Sequence, residues 1–196
     1  MITNSFISPS MIEEPIMFIP PQNDKEIDTI PRAGAWIFWY LIPNRSGNVL
    51  EWKVHLHPLH SFDSIEDFLR LINSIEHPSK LMKGCRFYVF RSFSKPLWEH
   101  ETVSNGHIIS IEIEKDQIQA DSIAEKWIDL VQQVLEDTSA ENLSILGVEY
   151  YSKPHTWKIS LWISRSCENL EDVRGKMETM MNIGTARISE VIQDTM

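Results

Sequence analysis

Three tryptophans stand beside polar or charged neighbours: Trp52 in Glu51-Trp52-Lys53, Trp98 in Pro96-Leu97-Trp98-Glu99-His100, and Trp162 near the end of the run that starts at Lys158. An indole brings a wide π-face and a single N–H, so such residues suit either a core or the stacking of a flat, preferably cationic, ligand. Trp52 alternates in phase with Leu50 and Val54, a core-like pattern. Trp98 lies between Lys95-Pro96 and Glu99-His100-Glu101, which reads as an exposed loop and leaves packing and ligand stacking both open. Two other groupings bear on chemistry. His55 and His57 would share one face of a strand, with His60 beyond Pro58, and could offer imidazoles to a metal, but no cysteine or paired acid completes the set. Glu99 and Glu101 flank His100 in the manner of acid–base residues, yet no nucleophile, oxyanion loop or phosphate-cradling glycine motif accompanies them. A non-enzymatic protein with no metal and no cofactor is therefore expected.

The elements that must position these residues are legible in outline. Trp36 to Leu41 is rich in aromatic and β-branched residues and runs into Pro43-Asn44 and Ser46-Gly47, so a strand and turn are expected, with Val49 to Leu56 as the returning strand. Ser64 with Asp67 resembles a capping box, and Ile65, Phe68, Leu69, Ile72 and Ile75 recur at helical spacing. Arg86 to Phe90 and Ile108 to Ile113 read as strands. Ser122 with Glu125 repeats the capping pattern ahead of a helix carrying Ile123, Trp127, Leu130, Val131 and Val134 and ending near Asp137. Leu146 to Tyr151 and Lys158 to Ser164 flank Pro154-His155 as a hairpin, and Asn169 caps a third helix that Gly184 closes. Strands gathered in hairpins with a few single helices predict an α+β chain with an antiparallel sheet backed by helices on one face.

Composition narrows the function classes. The 196 residues fit one domain, with residues 1–31 as an extended arm and 32–196 as the folded unit. Eighteen Lys and Arg against 28 Asp and Glu give a formal charge of −10, which opposes indiscriminate binding to a phosphate backbone and confines any nucleic-acid contact to a short, local site. The longest apolar run, Ala35 to Ile42, is too short to span a bilayer, and the N-terminus lacks a basic-then-apolar signal pattern. Two isolated cysteines, Cys85 and Cys167, suit a reducing compartment, so a soluble cytoplasmic or nuclear monomer is expected. Seven tryptophans in such a chain call for an explanation.

The order Trp36-x-x-Trp39-Tyr40, Glu51-Trp52, Ser61-Phe62-Asp63-Ser64-Ile65-Glu66-Asp67-Phe68, Gly84-x-x-Phe87-x-x-Phe90-Arg91, Pro96-Leu97-Trp98-Glu99 and Lys158-Ile159-x-Leu161-Trp162 resembles the signature blocks of the cap-binding translation initiation factor 4E family, from about Pro31 to the C-terminal region. The resemblance implies a strongly curved antiparallel sheet of about eight strands with three helices on its convex face and the mRNA cap in its concave face. It implies that Trp52 and Trp98 sandwich 7-methylguanine, whose delocalised positive charge strengthens stacking on electron-rich rings. Glu99 would accept hydrogen bonds from the guanine N1–H and amine, Trp162 would lie near the methyl group, and Lys153 and Lys158 would reach the triphosphate bridge. His107 falls near a position where the family carries an arginine, and Lys153 itself replaces a usual arginine, exchanging a planar fork for a point charge.

The same resemblance implies a partner face. Pro31, Ile65 and Leu69, with Trp127, Ile128, Asp129 and Gln132, match the positions at which the family takes a Tyr-x-x-x-x-Leu-hydrophobic helix from a 4G-type scaffold or a repressor. Leu69 stands where the family has a tryptophan, and Gln132 where it has an aliphatic residue. Two roles follow as expectations: cap binding that supports translation initiation through a scaffold, or cap binding by a paralogue that represses or stores mRNA. A cap-processing hydrolase is the reading from another class.

Overall fold

A computed structural model describes residues 34–43, 52–137 and 143–191, with 52 and 53 described through their backbone. The expected arm of residues 1–31 and the chain from 44 to 51 lie outside the described residues. Seven strands are present among those described: β1 (Trp36–Leu41), β2 (Leu56–Phe62), β3 (Arg86–Arg91), β4 (His107–Glu114), β5 (Ile145–Ser152), β6 (Thr156–Ile163) and β7 (Arg187–Glu190). They form one sheet in the order β2-β1-β3-β5-β6-β4-β7, with every pair antiparallel. Three helices, α1 (Ile65–Ser74), α2 (Ala120–Glu136) and α3 (Leu170–Met181), back its convex face.

Alternation along each strand decides what faces where. Phe38, Val89, Ile109, Ile111, Val148, Tyr150, Ile159 and Leu161 point to the helices and pack on Phe68, Ile72, Trp127, Val131 and Met177. At the centre Trp127 is completely buried, ringed by Phe38, Phe68, Phe87 and Tyr150 at centroid distances of 5.5–6.3 Å. The intervening residues form a second apolar cluster on the concave face, where Ile37, Trp39, Leu41, Tyr88, Phe90 and Trp162 meet Val103 and Leu97 from the β3–β4 connection. Five of the seven tryptophans are thus packing residues.

Register lays the concave face out in rows across the strands. Leu56, Leu41, Arg86, Tyr151, Lys158 and Glu112 form one row; Trp39, Tyr88, Glu149, Ser160, Ser110 and Arg187 a second; Ile37, Phe90, Gly147, Trp162, Ile108 and Ser189 a third. Gly147 sits where a Cβ would run into the Phe90 ring, so the third row closes only with hydrogen at that point.

The expected elements differ from these in a few places. Of the returning strand anticipated over Val49 to Leu56, the described part is a 3-10 turn at Trp52–His55 followed by β2, which starts where that strand was to end. Pro58 is tolerated within β2 because this is an edge strand and the pairing with β1 slips between Phe38 and Trp39. Ser64 caps α1 as expected, its side chain accepting from the Asp67 N–H at 3.2 Å. Helix α2 begins at Ala120, two residues before the expected Ser122 cap, and Gln119 gives it no side-chain bond. Asn169 occupies the N-cap position of α3 without capping it, and α3 ends on Asn182 in the left-handed region (φ 46°) rather than on Gly184.

Candidate functional site

Two hollows compete for attention. The larger, about 910 Å³, runs between α2 and α3 over Leu130, Val134, Val173, Met177 and Met180, without aromatic rings in its wall. The smaller, about 290 Å³, opens on the concave face and is lined by Leu41, Pro43, His55, Gly84, Arg86, Tyr88, Pro96, Trp98, Tyr151 and Trp162. Only the second gathers indoles, phenols and a cation, the groups that recognise a flat polar ligand.

Trp98 is mounted on the turn-rich connection between β3 and β4. Short backbone bonds pin that segment: Leu97 N–H to Lys95 at 2.7 Å, His100 N–H to Leu97 at 3.0 Å, and Val103 and Ser104 N–H groups to His100, each at 2.9 Å. Buried Ser94 shares a 2.7 Å bond with Thr102, and Val103 plugs the concave cluster. The indole itself remains 45% exposed, a large apolar face held out from a fixed mount. Glu99 follows it and is also exposed. Trp162 is buried, edge-on to Phe90 at 5.6 Å and to Tyr88 at 6.4 Å, and borders the cleft. Trp52 opens the 3-10 turn whose last residue, His55, lines the cleft.

The floor carries a charged network that sequence reading missed. Arg86 donates to the buried Glu149 carboxylate at 3.0 Å and to the Tyr88 hydroxyl at 3.3 Å, and its guanidinium lies 3.9 Å from the Tyr151 ring centroid. Burial works against the Arg86 charge, but Tyr88 and Glu149 outweigh it and hold its pKa above the ordinary value. Burial, and then Glu149, push the Tyr88 phenol upward, so it stays a neutral hydroxyl. The signal was present as Arg86-Phe87-Tyr88 at period two and as Tyr151 in the facing strand, but only the register brings them together. His55 Nε2, Arg86 Nε and Trp162 Nε1, all in residues lining the cleft, are buried without hydrogen-bond partners among the described residues, and pairing them calls for water or a ligand group.

Lys158 lies in the first row between Tyr151 and Glu112. Lys153, on the β5–β6 turn, donates to Glu112 at 2.7 Å. His107 is not brought to this cleft: it alternates in phase with Ile109 and Ile111 on the helix-backed side and borders a depression with Asn169, Leu170 and Ser189. Of the histidines weighed above as metal ligands and set aside, His55 lies on the 3-10 turn and His57 and His60 on β2, and no three His, Cys, Asp or Glu side chains among the described residues are placed to hold an ion.

On the convex face, Ile65 and Leu69 of α1 and Gln132 of α2 are half-buried and Asp129 is exposed, while Ile128 is nearly covered. Trp127 lies completely buried beneath this face. Pro31 lies outside the described residues.

Comparison with known proteins bears on this geometry. The Eukaryotic initiation factor 4E family model matches residues 32–192. A eukaryotic translation initiation factor 4E-1 of barley (Hordeum vulgare subsp. vulgare) is 40% identical over 76 residues, which is 39% of this chain and 35% of the barley protein, so the match spans about a third of that relative's length. Among solved structures, Ascaris suum eIF4E-3 in complex with an m2,2,7G cap superposes with a TM-score of 0.73 and 26% identity, covering 85% of this chain and 93% of that one. The same protein with an m7G cap gives 0.73 and 25% over the same shares. Caenorhabditis elegans eIF4E-3 bound to the 4E-binding protein Mextli gives 0.70 and 25%, covering 81% of this chain and 92% of its own.

Proposed function

The chain belongs to the eukaryotic initiation factor 4E family, and on that premise we propose that it binds the 7-methylguanosine 5′ cap of mRNA in the concave cleft, stacking the methylated base between Trp52 and Trp98. The observation that carries this reading is the exposed Trp98, mounted on a pinned segment at a cleft that Trp162 also lines. A neutral purine gains stacking alone from such a site, whereas N7 methylation adds a positive charge across the ring that an indole face attracts. Glu99, next along the chain, accepts from the guanine N1–H and amine; Trp162 borders the methyl group; Lys153 and Lys158 meet the phosphate bridge. Base–indole stacking contributes about 1–3 kcal/mol per ring. No step of this reading makes or breaks a covalent bond, so the cap is held and returned intact, and its place of work is the cytoplasm.

Tryptophan fluorescence tests it. Titration with 7-methyl-GTP quenches the emission, and GTP does so only at far higher concentration; equal affinities for the two nucleotides would remove the proposal. Chromatography of 7-methyl-GTP after long incubation with the protein and Mg2+ returns the nucleotide unchanged if binding is the whole activity.

On the convex face, the exposed parts of Ile65, Leu69, Asp129 and Gln132 support docking of a Tyr-x-x-x-x-Leu-hydrophobic helix from a 4G-type scaffold, in keeping with the Mextli complex of the nematode protein. Leu69 and Gln132 favour the second role as well, a cap-binding repressor or storage protein, because an aliphatic side chain and an amide offer a scaffold helix less apolar area and no indole N–H. Pull-down of a scaffold fragment by the wild type, lost in Leu69→Ala while 7-methyl-GTP binding is kept, selects the initiation role; cap binding without scaffold capture selects repression.

A further inference from the structure

The corner of the concave face that the cap-binding reading assigns to the phosphates is not simply basic. Glu112 on β4 accepts from Lys153 Nζ at 2.7 Å and stands directly across the strand pair from Lys158. The two side chains of the pair are 33% and 41% exposed, near enough to water to exchange partners. One carboxylate thus faces both lysines, and the trio carries a single net positive charge rather than two. Beyond it, Glu114 extends the acidic side into a depression of about 330 Å³, with Arg187 on β7 as the cation in its wall.

We propose that Glu112 is a specificity-determining residue that holds Lys153 away from the cap's phosphate bridge and so flattens the dependence of affinity on phosphate number. This rests on the cap-binding reading above. An arriving triphosphate must draw Lys153 off Glu112 and then lie beside the carboxylate it leaves uncompensated, a like-charge contact that cancels part of the gain from each added phosphate. The base, held by stacking and by Glu99, does not feel this opposition, so methylguanine recognition and phosphate recognition are separately tuned in this chain.

Glu112→Gln keeps the shape and the hydrogen-bonding oxygen while removing the charge, and three titrations followed by tryptophan fluorescence test the proposal. With 7-methyl-GTP the variant binds about fivefold tighter than the wild type. With 7-methylguanosine, which has no phosphate, the two proteins bind alike. In a Lys153→Met background the Glu112→Gln gain shrinks, because the ammonium it releases is gone. An unchanged or weaker 7-methyl-GTP affinity in Glu112→Gln, with 7-methylguanosine still bound by both proteins, overturns the role of Glu112 and leaves the cap-binding reading standing. Failure of the wild type to bind 7-methylguanosine and 7-methyl-GTP removes that reading and this inference with it.

Discussion

Trp98→Ala separates a ligand-facing indole from a packing one. Because the ring is 45% exposed and its segment is pinned by backbone and Ser94–Thr102 bonds, its loss leaves the urea midpoint within about 1 kcal/mol of wild type while 7-methyl-GTP binding weakens by about 1–3 kcal/mol. A loss of stability as large as the loss of affinity would mean that Trp98 serves the fold. Glu149→Ala gives the opposite balance. It leaves the Arg86 guanidinium without its carboxylate in a largely buried floor, and a midpoint shift worth about 2–3 kcal/mol is expected, allowing for the third of Arg86 that water still reaches. The two residues were unequally readable. Trp98 announced itself through its polar neighbours, whereas Glu149 and Arg86 lie 63 positions apart and become partners only through β3–β5 pairing. His107 shows the same limit: proximity in sequence to a family arginine carries no information about which face of β4 it takes, and in the sheet it alternates in phase with Ile109 and Ile111.

The β3–β4 connection that carries Trp98 and Glu99 is pH-sensitive by construction. His100 Nδ1 accepts from the Thr102 backbone N–H at 3.4 Å and shares a 2.9 Å bond with its hydroxyl, a pairing that requires an unprotonated nitrogen. Burial first, then Lys95, lower its pKa from 6.5, against a smaller opposing effect of Glu101. Between that lowered value and 6.5 the unfolded chain binds the proton and the folded chain does not, so stability rises with pH across this window and is lost as pH falls into it. Melting temperature and 7-methyl-GTP affinity should both drop on acidification below about pH 6.5, and His100→Asn, which cannot titrate there, should flatten both curves. Parallel curves for the two proteins would clear His100 of the effect. At the level of elements the helices were readable because a 3.6-residue apolar stripe and a Ser64 cap are local signals. The 3-10 turn at Trp52–His55 was not, since an alternating apolar pattern looks the same whether the chain extends or winds, and only the pairing of β2 with β1 sets where extension begins.

Taken over the whole molecule, a formal charge of −10 confronts a ligand that is itself an anion, and the salt response of binding measures how that conflict is resolved. On the proposed reading two lysines would meet the phosphate bridge, one of them paired with Glu112, so the plot of log affinity against log salt should have a slope near −1, given about 0.7 per neutralised phosphate on a single strand. With that surplus of acids, repulsion outside the cleft is expected to oppose a longer RNA. A capped dinucleotide and a capped oligonucleotide of a dozen residues should therefore show the same slope and closely similar affinity, while the uncapped oligonucleotide does not bind at physiological ionic strength. A slope that steepens with RNA length would reveal a basic track beyond Lys158 and would overturn the view that this chain reads the end of an RNA and ignores its body. Equal slopes would explain the composition itself: with stacking and one carboxylate supplying selectivity for the base, a surplus of acids elsewhere keeps the protein off the phosphate backbone that surrounds every cap.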